Sequence, residues 1–135
     1  MNVAAAMVGR LEDHGVDRCF CIPGESYLEV LNALRDSKID TVVARQEGGA
    51  AMMAEADAKL TGKVGVCFVT RGPGAANASA GVHIAQQDST PLILFVGQVA
   101  STMIGRDSFQ EVDFDDFFGG MANAVLHLRE DTDPF

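Results

Sequence analysis

Two uninterrupted apolar runs constrain the fold of this chain more than any other feature: KVGVCFVT at residues 63–70 and TPLILFVG at residues 90–97. Runs of this length and composition are typical of β-strands buried on both faces, which occur in parallel sheets covered by helices on either side. Between them lies RGPGAANASAGVHIAQQD, which has the glycine and proline start of a helix. This strand–helix–strand order predicts a βα unit and a mostly parallel sheet.

The same alternation extends through the rest of the chain. Residues 2–14 predict a first amphipathic helix, DRCFCIPG and DTVVA predict strands, and the Gly/Ala/Met-rich stretch that follows predicts a helix. Ser26 and Glu29 have the spacing of a capping box at the start of another helix. Residues 97–110 have a loop pattern, VDFDDFFGG predicts a short helix, and ANAVLHL at 122–128 predicts a final strand or the start of another crossover. Residues 1–135 therefore fit one α/β domain without an internal linker.

Charge and cysteine usage exclude several classes of partner. The formal net charge of the 135-residue chain is −9, which disfavours nucleic acid and anionic membrane surfaces as partners. The three cysteines lie inside apolar runs, which indicates buried thiols in a reducing compartment and predicts a cytoplasmic protein. No apolar stretch approaches the roughly 20 residues of a membrane span, so no membrane partner is expected.

Three polar segments follow predicted strands: PGES at 23–26, RQEGGA at 45–50 and TRGPGAAN at 70–77. The carboxyl ends of parallel strands meet at one edge of a sheet, where ligands bind. Glu47 is therefore predicted to lie at a ligand edge, and the small residues 48–51 would leave room for a flat group. Glu47 also fits an ordinary first-turn acid that complements the helix dipole, and the local pattern leaves both interpretations open.

Two long segments carry a family resemblance: RQEGGAAMMAEADAKLTGKVGVCFVTRGPGAANA at 45–78 and TPLILFVGQVASTMIGRDSFQEVD at 90–113. Together they resemble the N-terminal, pyrimidine-binding domain of thiamine diphosphate enzymes, in the acetolactate synthase-like branch. The similarity extends from about Val3 to about Leu128. It implies a three-layer α/β/α fold with a mostly parallel central sheet, and thiamine diphosphate as the cofactor.

The resemblance implies roles for residues on the cofactor side of the site. In the family, the acid at the position of Glu47 hydrogen-bonds N1′ of the aminopyrimidine, so Glu47 is expected to be catalytic. A carboxyl group suits this task because it can give and recover a proton, whereas an amide can only hydrogen-bond. The pattern T-x-G-P-G-x-x-N is expected to line the aminopyrimidine, and it comprises Thr70, Gly72, Pro73, Gly74 and Asn77. The structural alternative is a common Gly–Pro helix start with Asn77 in its first turn.

The resemblance also implies a substrate side. Phe109 and Gln110 belong to the motif FQE, in which the glutamine faces the substrate-bearing carbon of the cofactor, so Gln110 is expected to be catalytic as well. Gly24 corresponds to a loop on the far side of the active site, although it also fits an ordinary turn glycine. Arg71 stands where many relatives carry serine, and its role is open.

The histidines and the missing motifs indicate the class of reaction and the partners. Several simple decarboxylases of the superfamily carry a histidine pair, whereas the three histidines here are scattered, which favours ligation or lyase chemistry on small 2-oxo acids. The family binds the diphosphate through Mg²⁺ with a GDG…NN motif in a C-terminal domain, and some members bind FAD in a middle domain. Neither the GDG…NN motif nor a middle domain is recognised in residues 1–135, and no metal site is expected within them.

The chain is therefore expected to be one domain of a longer enzyme, inactive alone. Its expected partners are a diphosphate-binding domain and further copies in a homodimer or higher oligomer. The alternative is a stand-alone binding or assembly module that keeps the fold without turnover.

Overall fold

A computed structural model describes residues 2–128, and its helices and strands alternate along the chain as predicted. In chain order the elements are α1 Val3–Asp13, β1 Arg18–Cys21, a 3-10 turn Glu25–Tyr27, α2 Leu28–Arg35, β2 Asp40–Val43, α3 Glu47–Thr61, β3 Gly65–Val69, α4 Gly72–Asp88, β4 Leu92–Val96, a 3-10 turn Ser101–Met103 and α5 Phe114–Phe118.

The four strands form one parallel sheet in the order β2-β1-β3-β4. Cys67 on β3 pairs with Phe20 on β1 and with Leu94 on β4, so β3 lies between two neighbours. All five residues of β3 are buried, which confirms the prediction of a doubly covered strand. The parallel sheet itself is also confirmed.

Alternate residues of each strand pack into two different cores, and this makes the fold three-layered. On one face, Cys19 and Phe68 pack with residues of α1 and α2. On the other face, Phe20 and Cys67 pack with alanines of α3 and α4, and Leu92 contributes to a neighbouring cluster with α5. The predicted α/β/α architecture is confirmed.

Helices α3 and α4 pack closely because small residues face each other. A Cβ added at Gly81 of α4 would lie 2.5 Å from the Cβ of Ala51 of α3 and 2.9 Å from its carbonyl carbon. Ala50 and Ala51 are fully buried in this interface. The expectation that residues 48–51 leave room for a ligand is therefore wrong for these alanines, whose small size serves helix packing. Only Gly49 is exposed with open space where a side chain would be.

Strand β4 differs from its prediction as a doubly buried strand. Its side chains are mostly half-buried, and Ile93 is 40% exposed. The reason is its position, because β4 forms one edge of the sheet that residues 2–128 make. An apolar run alone cannot distinguish a central strand from one at an edge.

The predicted capping box at Ser26 and Glu29 is also wrong. Helix α2 begins after a 3-10 turn, its N-cap is Tyr27, and no side chain caps it. The Ser26 hydroxyl instead hydrogen-bonds Thr70, and Glu29 accepts a hydrogen bond from Asn2. Tertiary partners thus replaced the local pairing that the spacing indicated.

Residues 122–128 form neither the predicted strand nor a helix. They continue past α5 without regular backbone hydrogen bonding, and Leu126 is 83% exposed. His127 is held by the carboxylate of Asp115 on α5, at 2.7 Å.

The cysteines lie in the sheet as expected. Cys19, Cys21 and Cys67 are free and buried. Burial raises the pKa of Cys67 to about 12 and that of Cys21 to about 11, so both are thiols at neutral pH. Within residues 2–128, none of the helices combines the length and the apolar character needed to cross a membrane.

The α3–α4 contact can be tested with two helix-interior glycines. Gly81→Ala is expected to lower the free energy of unfolding by about 1–3 kcal/mol, because the new methyl group overpacks the interface. Gly9→Ala on α1 meets nothing within 4 Å, and it is expected to raise stability by about 0.5–1 kcal/mol through helix propensity. Urea unfolding followed by circular dichroism measures both. Equal changes in the free energy of unfolding for the two substitutions would contradict the close contact between α3 and α4.

Candidate functional site

The loops at the carboxyl ends of β1 and β3 meet, as predicted for parallel strands. Ser26 Oγ lies 2.9 Å from Thr70 Oγ1, with either hydroxyl able to donate. A Cβ added at Gly24 would lie 2.7 Å from the Cβ of Thr70, so the loop after β1 packs directly on the end of β3. Gly97, at the end of β4, approaches Ser26 so closely that no side chain would fit there. These four residues form a tightly packed edge.

Glu47 is the first residue of α3 and lies half-buried at the same edge. The side chain of the N-cap residue Gln46 accepts a hydrogen bond from the Gly49 amide at 3.0 Å, which fixes the start of the helix. Asn77 Nδ2 of α4 donates a hydrogen bond to Glu47 Oε2 at 2.9 Å. Among residues 2–128 this is the one donor that reaches the Glu47 carboxylate, so Oε1 is the oxygen left for a ligand.

Asn77 does not cap its own helix. Helix α4 begins at Gly72, Pro73 is its second residue, and its N-cap is Arg71, which makes no side-chain capping bond. Asn77 therefore lies in the second turn and reaches across to α3. The alternative in which Asn77 merely follows a Gly–Pro helix start does not account for its contact with Glu47.

Gly72 and Gly74 pack so closely against other residues of this chain that a Cβ at either position would crowd a neighbouring side chain. The Gly72 amide donates to the carbonyl of Gln110 at 3.0 Å, and a Cβ at Gly72 would lie 2.7 Å from Val112 Cγ2. A Cβ at Gly74 would lie 3.0 Å from Thr70 Cγ2. Close internal packing therefore explains both glycines without a ligand, whereas Pro73 is exposed.

The loop before α5 brings Gln110 to the start of α4. Gln110 has φ +62°, a left-handed conformation, and its carbonyl holds the Gly72 amide. Phe109 beside it is 72% exposed. The Glu111 carboxylate accepts from the amides of Gly105 at 2.5 Å and Ser108 at 2.9 Å, which folds the loop into a compact turn.

The structure therefore gathers the predicted site residues into two groups. One group is the Glu47–Asn77 pair between α3 and α4. The other surrounds the β3–α4 junction and comprises Gly24, Thr70, Gly72, Gly74 and Gln110. Pro73 lies on the exposed surface of the junction, and Phe109 projects from the neighbouring loop.

The residues present fit the aminopyrimidine half of thiamine diphosphate. An acid with one oxygen held by an amide and the other open can pair with a ring nitrogen, and the space beside Gly49 is open. Among the described residues no group of histidine, cysteine, aspartate and glutamate side chains could hold a metal ion.

The ion pair at this edge was not predicted from the sequence. Arg71 Nη1 lies 2.9 Å from Glu25 Oε1, and the Arg71 side chain is only 15% exposed. The signal that could have suggested it is placement, because both residues lie in the segments that connect parallel strands to the helices after them. The pairing of Ser26 with Thr70 and the Glu111 loop contacts were likewise not predicted.

Comparison with known proteins identifies the family. Residues 1–117 match the family model described as thiamine pyrophosphate enzyme, N-terminal TPP binding domain. The chain belongs to this family of thiamine pyrophosphate-binding domains, as its resemblance implied.

Its relatives include acetolactate synthases. The large subunit from Parasynechococcus marenigrum is 41% identical over 135 residues, which cover 97% of this chain and 21% of that protein. The large subunits of isozymes 2 and 3 from Escherichia coli are 44% and 46% identical, each over 84% of this chain and over 21% and 20% of their own lengths. The chain thus spans about a fifth of the length of these curated relatives.

The loop that positions Gln110 should lose its Glu111 hydrogen bonds at low pH. Hydrogen bonds from Gly105 and Ser108 lower the pKa of Glu111 below its ordinary value of 4.5. Its stabilisation of the loop is therefore complete above pH 4.5 and is lost as the pH falls through the lower folded value. The amide proton shifts of Gly105 and Ser108, followed by NMR, should titrate together with a midpoint below 4.5. Glu111→Gln should abolish that titration, and a midpoint at or above 4.5 would contradict the contact.

Proposed function

We propose that this chain supplies the pyrimidine half of a thiamine diphosphate site in an acetolactate synthase-like enzyme that acts on small 2-oxo acids. The observation that carries the proposal is the contact between Glu47 and Asn77. It presents one half-buried carboxylate at the carboxyl edge of a parallel sheet, with a single oxygen left for a ligand. Membership of the thiamine pyrophosphate-binding family supports the choice of cofactor.

Glu47 is the proton-handling residue of this proposal. When bound, thiamine diphosphate supplies a carbon that attacks carbonyl groups once its proton is removed. Glu47 Oε1 would share a proton with N1′ of the aminopyrimidine, which favours the ring form whose exocyclic nitrogen can act as a base. Partial burial of Glu47 limits competition from water for that hydrogen bond.

Asn77 is a positioning residue in the same proposal. Its amide holds Glu47 Oε2, so the carboxylate cannot rotate freely about its last torsion. An amide also does not ionise near neutral pH, and it therefore orients the acid without competing for the transferred proton.

The second group of residues would bound the substrate side. The Gln110 amide could donate a hydrogen bond to a carbonyl or carboxylate oxygen of a 2-oxo acid. Gly24 and Phe109 would form the neighbouring wall. Thr70, Gly72, Pro73 and Gly74 would keep the β3–α4 junction closely packed against the pyrimidine ring, consistent with the short contacts at Thr70 and Gly72.

Further domains and copies complete the proposed enzyme. The diphosphate and its Mg²⁺ would be held by a separate diphosphate-binding domain, the assembly would be a homodimer or larger, and a complete enzyme could include FAD. We propose transferase or lyase chemistry in the cytoplasm. Residues 1–135 would be one domain of that enzyme, inactive alone.

The role of Glu47 is tested in the complete polypeptide that contains residues 1–135. Glu47→Gln is expected to slow the exchange of the cofactor C2 hydrogen for deuterium by several orders of magnitude, because glutamine can hydrogen-bond but not transfer the proton. NMR of quenched samples at saturating cofactor measures the rate. The matched control is Glu29→Gln, which changes a first-turn glutamate of α2 whose carboxylate contacts Asn2 and not Asn77.

Unchanged exchange in Glu47→Gln would exclude the proposed role. Absence of exchange and of cofactor binding in the unaltered polypeptide would instead favour the stand-alone binding or assembly module.

The role of Gln110 predicts a different kinetic signature. Gln110→Ala is expected to raise KM for the 2-oxo acid or to alter product partition, while C2 exchange stays within about threefold, because this amide faces the substrate. Gln110→Asn is a useful second variant, since asparagine tolerates the left-handed backbone. Gln87→Ala on the exposed surface of α4 is the control. An exchange defect as large as that of Glu47→Gln would refute this division of roles.

A further inference from the structure

Gln46 caps α3 immediately before the proposed catalytic acid. Helix α3 begins at Glu47, and the side-chain oxygen of Gln46 accepts a hydrogen bond from the Gly49 amide at 3.0 Å. The main-chain carbonyl of Gln46 also accepts from the Ala50 amide at 3.0 Å. One residue therefore holds two of the first amides of the helix, and this fixes the main chain on either side of Glu47.

Glutamine is an uncommon capping residue, because serine, threonine, aspartate and asparagine are the types preferred at this position. The same chain uses preferred types at two other helices. Asn2 caps α1 by accepting from the Ala5 amide at 2.8 Å, and Asp113 caps α5. Among these three side-chain caps, the longer amide stands only before the helix that carries Glu47.

Gly48 leaves the space that the Gln46 side chain occupies. A Cβ at Gly48 would lie 2.8 Å from Gln46 Oε1 and 3.0 Å from the main-chain carbonyl oxygen of Asn77. Gly48 is buried, so the capping side chain and the main chain of Asn77 pack on the same glycine. The side chain of Asn77 in turn holds Glu47 Oε2. The cap is therefore packed against the residue that orients the acid.

The side chains that surround Glu47 are uncharged at neutral pH. The contact from α4 is the neutral amide of Asn77. Cys67 of β3 and Tyr27 of the first 3-10 turn lie near enough to sense the charge of Glu47. Burial chiefly raises the pKa of each, and the charge of Glu47 adds to the rise, so both stay protonated near pH 7.

The other charged side chains in the segments that follow β1, β2 and β3 are Glu25, Arg45 and Arg71. Arg71 pairs with Glu25, and Arg45 is exposed to water, which screens its charge. An aspartate cap would add a carboxylate directly beside Glu47 in the chain. The amide of Gln46 caps the helix without adding that charge.

We propose that Gln46 is a positioning residue whose uncharged cap fixes the first turn of α3, so that Asn77 and the pyrimidine ring meet Glu47 in one orientation. This inference rests on the proposed function. Because Gln46 acts through Glu47, its loss should slow proton transfer without removing the acid.

The first test uses the complete polypeptide without cofactor. NMR with isotope-labelled asparagine follows the exchange of the Asn77 side-chain amide hydrogens with solvent. Gln46→Ala is expected to speed this exchange about tenfold, because an uncapped first turn no longer holds Glu47 against Asn77. Gln46→Asn supplies a preferred cap and should stay within about threefold of the unaltered protein. The matched control is Asn2→Ala, which removes a side-chain cap from the third residue of α1.

The second test measures C2 hydrogen exchange in the loaded enzyme. Gln46→Ala is expected to slow it about tenfold, and Gln46→Asn should leave it within about threefold. Gln46→Asp keeps a cap but adds a charge. The acid limb of its pH profile should move by about half a pH unit to higher pH, because a neighbouring carboxylate favours the protonated acid. Asn2→Asp, the same change at the cap of α1, should leave the profile in place.

Three results would overturn the inference. Unchanged Asn77 exchange or unchanged C2 exchange in Gln46→Ala would show that the cap does not position Glu47. C2 exchange as slow in Gln46→Asn as in Gln46→Ala would show that capping is not the cause of the defect. An unmoved pH profile in Gln46→Asp would refute the need for an uncharged cap.

The two proposals fail in different ways. If the unaltered enzyme exchanges the C2 hydrogen and Gln46→Ala does so at the same rate, only the role of Gln46 is wrong. If the unaltered enzyme shows no C2 exchange, the proposed function is wrong. Faster Asn77 exchange in Gln46→Ala would then still show that the cap holds the contact between Glu47 and Asn77.

Discussion

The close packing of α3 against α4 is the constraint on which the candidate site depends. Gly81 and Ala51 bring the two helices so near that a single added methyl group would collide with main-chain atoms. At this separation the short amide side chain of Asn77 reaches the carboxylate of Glu47 directly. Larger residues in the interface would move the helices apart, and the acid would then lose its orienting partner. Packing of apolar surface thus sets the geometry of a polar pair.

The β3–α4 junction links the remaining parts of the site because three successive residues contact three different segments. The Thr70 hydroxyl bonds Ser26 in the loop after β1, and the Arg71 guanidinium pairs with Glu25. The Gly72 amide bonds the carbonyl of Gln110 in the loop before α5. A parallel sheet makes this convergence natural, since all its strands end at the same edge. A substitution at any one of these three residues is therefore expected to shift the segments that the other two contact.

The sequence predicted the parts of this arrangement that depend on repeating patterns. Apolar runs identified β3 and β4, and the shared edge of parallel strands placed Glu47 near the segment that carries Asn77. Sequence could not show that Ala50 and Ala51 serve helix packing, because small residues suit a ligand and a close helix contact equally well. Ser26 was misassigned because its spacing from Glu29 fits a capping box, whereas its actual partner is Thr70, 44 residues away. Pairings over such distances depend on the fold and leave no local pattern.

The acid Glu47 and the mostly buried cation Arg71 each have a separate partner at this edge of the sheet. If Arg71 paired with Glu47, the guanidinium would favour the ionised carboxylate and oppose the gain of a proton. The chain instead gives Arg71 its own carboxylate, Glu25, and gives Glu47 a neutral amide. The amide fixes the orientation of Glu47 without fixing its charge, as proton sharing with a ring nitrogen requires. Each of the two groups is therefore held by its own partner, which is the arrangement that the proposed role of Glu47 would need.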